Sequence, residues 1–406
     1  MQVISCRYHL NIILNGITPI NHYTEVTANL DLDSLLELSG IVLPLCFEKN
    51  PLLHPPKNEM KTVIEAFYEV VGDANVELDN DFQKNNQQLE YFLGSSYLTP
   101  MFLRHSFHGL VISGLHGKSN GRYQLIQDGL YFLQALLVFN LYKIRKKLMQ
   151  SRAVELENVI HLLKLDLIFG SNRVESWFLL GQAFSFLVED DLIWTSDKLI
   201  FPERKTATAN IQRKALICYF MSVNEVLRQD TSKEIFGLIM SQLAKEMYNA
   251  TMKPMDMHAF KVVQNPRFIR KETGAAFVTV SESSYTKRIL CYRIIQQALN
   301  LSIKGDTKAW SPYYYLLKIQ QKLDLEPDTI IRTLLLSLDL ARESLNLQDP
   351  IIEPHYRLCS LLYKFVKKGV LLPAIACHYL KKDQLFEAIP SERILNNENF
   401  YKFVIE

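Results

Sequence analysis

Apolar residues recur at steps of three and four along most of the chain, and this period predicts α-helices. Only AAFVTV at 275–280 has the composition of a strand, and strands do not alternate with helices as a parallel sheet would need. The fold class is therefore predicted to be all-α. Helices are expected over 54–71, 123–149, 153–168, 210–227, 231–252 and 286–303.

Helix-breaking and polar residues divide this pattern into segments. We expect Gly40 and Pro44 to end the first helix, and the polar stretch 72–89 to be a loop outside the core. The stretch 252–280 interrupts the helical period and is predicted to be a long excursion. Segment 123–149 is predicted to be the longest helix, packed on both sides because its apolar residues form two stripes.

One segment carries the signature of a tandem helical repeat, W-x-x-L-G-x-x-F. Its residues are Trp177, Leu180, Gly181 and Phe184. In a tetratricopeptide repeat (TPR) the first helix carries W-x-x-L-G-x-x-Y. The large residues form a stripe, and the small glycine lets the second helix approach closely. The second helix should supply a small residue and then an aromatic residue four positions later, and Ala215 and Tyr219 have this spacing.

The period of this repeat is broken. Ala215 stands 38 residues after Trp177, whereas a regular repeat would place it about 16 residues on. We therefore expect roughly 22 extra residues between the two helices, in an insertion over 189–210. Weaker copies of the stripe occur at 355–362 and 313–320. The prediction is an irregular TPR-like helical-repeat solenoid with long inter-helix insertions. The alternative is a helical bundle in which the tryptophan matches the repeat signature by chance.

Four regions follow from these patterns, and we expect them to form one continuous solenoid. They are an N-terminal helical region at 1–122 with its polar loop at 72–89, TPR-like repeats at 123–251, an irregular excursion at 252–285 and TPR-like helix pairs at 286–406.

Composition narrows the class of protein. Hydrophobic residues make up 48% of the 406 residues and charged residues 22%, as in globular proteins. A net charge of +2 argues against nucleic-acid binding through overall charge. The six cysteines are widely scattered without a C-x-x-C, which predicts reduced thiols in a cytosolic or nuclear protein. The most apolar run, 129–142, is shorter than the roughly 20 residues of a membrane-spanning helix, so no membrane contact is predicted.

Two charged stretches are candidates for partner binding. The first comprises Glu189, Asp190 and Asp191, and the second comprises Arg267, Arg270 and Lys271. The acids offer a spot for a basic partner such as a histone, and the bases offer a weak contact for DNA or for an acidic partner segment. The plainer interpretation is a solvated helix end for the acids and a solvated loop for the bases.

No motif indicates chemistry. The histidines of HSFH at 105–108 and His116 have no cysteine nearby, as a structural zinc site would usually need. Phosphate-binding loops, dinucleotide fingerprints, nucleophile elbows and zinc-protease motifs are absent from the sequence. We therefore predict no catalytic residue, no metal site, no cofactor and no small-molecule substrate, and the chain is not expected to be an enzyme.

Several long segments resemble one known family. They are LYFLQALLVFNLYKIRKKLMQSRAVELENVI, NRVESWFLLGQAFSFLVEDDLIWTSDKL, NIQRKALICYF and DPIIEPHYRLCSLLYKFVKKG. They resemble the large TPR subunit of the fungal HIR histone-chaperone complex, whose animal counterpart is the calcineurin-binding protein cabin. The resemblance covers about residues 123–369. Family members are much longer than 406 residues, so we expect this chain to be a piece of a larger protein, as its uncapped ending FYKFVIE also indicates.

The resemblance implies a nuclear scaffold that supports nucleosome assembly outside replication and repression of histone genes. It implies the WD-repeat subunits of the complex as partners, and histones as partners reached through the complex. The alternative is a TPR-type receptor for peptide segments of another protein outside chromatin. A receptor that clamps a terminal carboxylate is disfavoured, because Phe178 stands where such a clamp would need a cation and Gln182 replaces the expected amide.

Overall fold

The computed structural model describes residues 32–72, 80–107, 122–148, 153–169, 171–194, 196–229, 232–261, 267–270, 277–280, 286–343 and 351–381. These residues form α-helices joined by short connections, together with one antiparallel pair of short strands. The prediction of an all-α, TPR-like helical-repeat class is confirmed. Within the described part of the chain, no helix is both long enough and apolar enough to span a bilayer.

The helices form two compact units. The first unit comprises Met1–Thr231 and Asn249–Thr286. Its helices are α1 (Leu32–Phe47), α2 (Asn58–Val71), α3 (Asn80–Ser95), α4 (Pro100–Ser106), α5 (Arg122–Gln127), α6 (Leu130–Lys147), α7 (Ala153–Ile168), α8 (Val174–Trp194) and α9 (Pro202–Arg228). It also holds 3₁₀ turns at Ser196–Ile200 and His258–Phe260, and the strands β1 (Arg267–Arg270) and β2 (Phe277–Val280), in which Arg267 lies opposite Val280.

The second unit comprises Ser232–Tyr248 and Lys287–Glu406. Its helices are α10 (Lys233–Thr251), α11 (Arg288–Gly305), α12 (Trp310–Lys322), α13 (Pro327–Glu343), α14 (Glu353–Lys367) and α15 (Pro373–Lys381). Helix α10 belongs to this unit as far as Tyr248. Its core is an aliphatic cluster contributed by α12 to α15. The cluster contains Leu317, Ile330, Ile331, Leu334, Leu338, Leu358, Leu361, Leu362, Ala376 and Leu380.

Successive helices pack against one another, as repeat architectures require. In the first unit α6 packs on α7, α7 on α8 and α8 on α9, and in the second unit α11 to α15 pack in chain order. The core of the first unit is rich in aromatic residues because α6, α8 and α9 each bury more than one face. Its largest fully buried side chains are Trp177, Tyr131, Tyr142, Tyr219, Phe67, Phe82, Phe132, Phe139, Phe169, Phe178, Phe220 and Phe260.

The prediction of the longest helix over 123–149 is wrong in two respects, because the chain breaks it at Gly129 and the longest described helix is α9, with 27 residues. Gly129 has a φ of +100°, and a Cβ there would lie 2.6 Å from Cζ of Phe47. The two-sided packing of the segment is confirmed for α6 as far as Tyr142. Leu141 and Ile144, which belong to the predicted stripe, are exposed.

Two predicted interruptions are instead helical, the second of them in part. Helix α1 runs through Gly40 and Pro44 to Phe47. The second half of the predicted loop at 72–89 lies in α3, whose few apolar residues, such as Phe82 and Leu89, are buried on one side. The loop prediction failed because most residues of this segment are polar, among them several Asn and Gln, so its narrow apolar stripe is not apparent in the sequence.

The beginning of the predicted excursion at 252–280 is part of the core of the first unit. Met255, Ala259 and Phe260 are fully buried, and the 3₁₀ turn that contains Phe260 packs against α9. The strand predicted at 275–280 is present as β2, paired with β1. An excursion that carries fully buried residues is not a detachable surface segment.

Candidate functional site

The glycine of the repeat signature lies directly over an aromatic ring of the next helix. A Cβ added to Gly181 of α8 would lie 3.0 Å from Cε1 and 3.1 Å from Cδ1 of Tyr219 in α9. Phe178, one turn before the glycine, meets the same ring edge-on at 5.8 Å. Ser185, one turn after it, has its hydroxyl 3.2 Å from the Tyr219 hydroxyl. Phe178, Gly181 and Ser185, which follow one another by one turn of α8, therefore all contact the same tyrosine.

All the predicted repeat-packing residues are buried. They are Trp177, Leu180, Gly181, Phe184, Ala215 and Tyr219. Trp177 is 1% exposed and meets the ring of Phe92 edge-on at 6.5 Å. Its indole Nε1 has no hydrogen-bond partner among the described residues, so Trp177 acts there as an apolar wedge.

The extra residues between Trp177 and Ala215 do not form an insertion loop. They lengthen the two helices, so that α8 has 21 residues and α9 has 27, joined by the 3₁₀ turn Ser196–Ile200. The expected excursion at 189–210 is therefore wrong. Pro202 stands at the start of α9, where its fixed φ suits a helix and its missing N–H costs nothing.

The three successive acids lie in the last turns of α8, and the chain's own residues bind all of them. Asp190 accepts hydrogen bonds from the Tyr142 hydroxyl at 2.8 Å and from the Lys146 ammonium at 2.9 Å. Asp191 accepts one from the Thr208 hydroxyl at 2.8 Å and pairs with Arg204.

Glu189 shares the Lys146 ammonium at 2.9 Å, but half of its side chain, 53%, is exposed. The acids thus join α6, α8 and α9 within the first unit. A contact of this cluster with a histone stays a prediction, and Glu189 is the acid that could best make it.

The other charged candidates are only partly described. Arg267 and Arg270 stand at the two ends of β1, and Lys271 lies outside the described residues. His105 lies in α4, whereas His108 and His116 lie outside the described part of the chain. Among the residues that are described, no group of His, Cys, Asp and Glu side chains is arranged to hold a metal ion.

A buried carboxylate that the sequence did not single out organises the turn between α7 and α8. Asp166 is fully buried and accepts hydrogen bonds from the hydroxyls of Ser171 and Ser176. Arg173 Nε lies 3.9 Å from the same carboxylate. Burial raises the pKa of Asp166, while the charge of Arg173 and the two serine hydrogen bonds oppose that rise.

The guanidinium of Arg173 connects this turn to α1 and α6. It lies over the rings of Phe47 and Phe132, with its carbon 4.8 Å and 5.8 Å from their centroids, and it donates a hydrogen bond to the Gln127 carbonyl at 2.6 Å. A polar residue near the end of a helix, followed closely by two serines and an arginine, is the local signal that could have indicated the buried turn around Asp166.

A second glycine contact, also missed, lies in the second unit. A Cβ on Gly305 of α11 would lie 2.5 Å from the Lys233 carbonyl oxygen and 2.9 Å from Cα of Gly237 in α10. The Ser302 hydroxyl donates to the Gly237 carbonyl at 2.8 Å. The two glycines are separated by 68 positions and leave no local pattern, so sequence spacing could not reveal this close approach.

Comparison with known proteins places both units in one family. A family model described as the HIR3 helical bundle domain matches residues 47–306, and a model described as the HIR3 TPR domain matches residues 329–406. The chain belongs to the HIR3 family. The bundle model covers the Trp177–Tyr219 helix pair of this HIR3 chain, and the TPR model covers most of α13 and all of α14 and α15.

Curated relatives are similar along the whole chain. The protein called histone transcription regulator 3 homolog is 49% identical in Debaryomyces hansenii and 44% identical in Candida albicans, each over 100% of this chain. Its counterpart in Eremothecium gossypii is 29% identical, again over 100% of this chain. The chain spans 23%, 25% and 26% of these proteins, about a quarter of each.

Proposed function

We propose that this chain is part of a non-catalytic scaffold subunit of the HIR histone-chaperone complex. In this role it supports nucleosome assembly outside replication and repression of histone genes through protein–protein contacts in the nucleus. Its partners are the WD-repeat subunits of the complex, and histones are reached through them. The observation that carries the proposal is the match of both units to HIR3 domains, with relatives named as histone transcription regulators.

The packing of the first unit supports a scaffold. Helix α8 packs against α7 and α9 and makes fewer contacts with α6. Its position against α9 is fixed by the contacts of Gly181 and Ser185 with Tyr219. Stacked helices with such fixed contacts present rigid surfaces, which is how repeat proteins bind their partners.

The titratable groups of the described residues also favour a binding role over catalysis. Burial raises the pKa of the Cys46 thiol to about 11 and that of Cys291 to about 12, and it raises that of Cys218 further. Reactive thiols have the opposite shift, because the thiolate is the nucleophile. Asp166 is the fully buried carboxylate, and it is enclosed by serine hydroxyls away from solvent.

Co-purification of this chain with each WD-repeat subunit of the complex, expressed singly, tests the proposal. We expect at least one subunit to remain bound through gel filtration, with a defined molar ratio by light scattering. A Gly40→Ala variant is the matched folded control, because nothing lies within 4 Å of a Cβ at that position. Elution of every subunit apart from the chain would contradict the scaffold role.

A further inference from the structure

Three tyrosines and a lysine of the second unit form a half-buried surface. Tyr314 and Tyr315 of α12 meet at 5.8 Å, and Tyr315 meets Tyr248 of α10 edge-on at 5.5 Å. The Lys318 ammonium lies 4.0 Å from the ring centroid of Tyr314, 4.9 Å from that of Tyr315 and 5.5 Å from that of Tyr248. Together with Arg357 of α14, these residues are called the tyrosine patch below.

Both cations of the tyrosine patch are partly buried. Neither Lys318 nor Arg357 forms an ion pair with a carboxylate among the described residues. Arg357 donates from Nη2 to the Gln321 side chain, and its Nε is buried without a hydrogen-bond partner in the described part of the chain. Burial, and then the charge of Arg357, lower the pKa of Lys318 to about 8. A desolvated positive charge is costly, and a bound anion would relieve that cost.

The phenol groups complete a surface suited to carboxylates. Burial raises the pKa of Tyr315 to about 12 and also raises the pKa values of Tyr248 and Tyr314. The hydroxyls of Tyr314 and Tyr315 therefore stay protonated and can donate hydrogen bonds at neutral pH. The ring faces provide apolar area beside them, as at many sites that bind peptides.

The local charges favour a peptide over a nucleic acid. The carboxylates of Glu353 and Glu246 lie close enough to influence Tyr315, so the patch suits a ligand with only one or two negative charges better than a highly charged phosphate backbone. A nucleic-acid groove needs a row of cations that follows many phosphates, whereas this surface presents two cations beside three rings. We propose that the tyrosine patch binds an acidic segment of a partner protein, through one or two Asp or Glu side chains. This inference does not depend on membership of the HIR complex.

Fluorescence anisotropy of the full chain tests this binding. The probe is a labelled short peptide of Asp and Glu around one Phe, compared with its Asn/Gln analogue and with labelled oligo-dT. We expect the acidic peptide to bind, and Lys318→Met to weaken it by about tenfold or more, as for loss of a hydrogen bond to a charged group. Lys308→Met is the matched control, because Lys308 is exposed and precedes α12, and it should leave binding unchanged.

Three results would overturn the inference. These are equal binding of the amide analogue, equal effects of the two lysine variants, and tighter binding of oligo-dT than of the acidic peptide. Methionine keeps the length and apolar stem of lysine, so Lys318→Met should fold, and thermal unfolding by circular dichroism checks this.

A second measurement needs no variant. The charged groups that act on Lys318 are Arg357 and Glu353 of α14 and Lys245 of α10. We expect the affinity of the wild-type chain for the acidic peptide to fall as the pH rises through about 8, where Lys318 loses its proton. Affinity that stays constant across this range would also count against the tyrosine patch.

Discussion

Replacing Gly181 by alanine tests whether the repeat signature works by close approach of two helices. In an open helix interior, glycine to alanine stabilises by about 1 kcal/mol, because alanine loses less backbone entropy. At Gly181 the new methyl would lie 3.0 to 3.2 Å from three ring atoms of Tyr219. The ring cannot move easily, because Tyr219 is fully buried and contacts Phe178 and Ser185.

The magnitude follows from these opposing effects. Overpacking a filled core costs about 1–3 kcal/mol, which should outweigh the gain in helix propensity. We therefore expect Gly181→Ala to lower the free energy of unfolding by about 1 kcal/mol. Gly40→Ala in α1, where a Cβ would meet nothing within 4 Å, should instead stabilise by about 1 kcal/mol. The same chemical change should therefore have opposite signs at the two positions.

Urea unfolding followed by circular dichroism and tryptophan fluorescence measures both changes. A double-mutant cycle gives the sharper result, because Gly181→Ala should become stabilising once Tyr219→Ala has emptied the space above it. Equal stabilisation by Gly181→Ala and Gly40→Ala in the wild-type chain would refute the reasoning, since Tyr219 would then not occupy the space over the glycine.

Three further substitutions have expected outcomes, each read as a change in the free energy of unfolding. Trp177→Ala should cost about 3–5 kcal/mol, as for other buried aromatic residues. Trp177→Phe should cost clearly less, because the indole Nε1 has no hydrogen-bond partner to lose among the described residues. A cost of less than about 1 kcal/mol for Trp177→Ala would contradict the burial of the tryptophan. Gly305→Ala should cost about 2 kcal/mol because the clash is with backbone, whereas Gly94→Ala, with open space around it, should cost nothing. Asp166→Ala should cost about 2 kcal/mol by leaving the buried Ser176 hydroxyl without its acceptor, whereas the Ser171 hydroxyl keeps the backbone carbonyl of residue 166. Since the folded-state pKa of Asp166 is raised above 3.8, the wild type should gain stability relative to Asp166→Asn as the pH falls from neutral, and a trend in the opposite direction would contradict the raised pKa.

The features that sequence patterns can predict are those encoded within one helix or within a known pair of repeat helices. The stripe of Trp177, Leu180 and Phe184 requires only that α8 be helical, and its burial follows from the period. The pairing with Tyr219 was predictable because a known repeat supplies the expected residue types of the second helix.

The failures share a physical cause, which is that contacts between distant residues override local composition. The acids at the end of α8 look like a loop in sequence, but Lys146, Arg204 and Thr208 bind them and let both helices extend. In α3, Asn85 is buried and donates a hydrogen bond to the Ile168 carbonyl. A polar residue satisfied in this way reads as a loop signal until its partner is known.

The tyrosine patch could not be predicted for the same reason. Tyr248 and Lys318 are separated by a long stretch of chain that includes all of α11. Within α12, the run Tyr313–Tyr315 reads as one more apolar face, and nothing local indicates that two partly buried cations lie beside it.

Hydrogen exchange of this chain, alone and mixed with the WD-repeat subunits of the HIR complex, tests the scaffold proposal most directly. The proposal predicts slower exchange over a contiguous surface of the chain when a cognate subunit is present, with unchanged exchange when an unrelated WD-repeat protein replaces it. Identical exchange at every described helix with and without those subunits would contradict it.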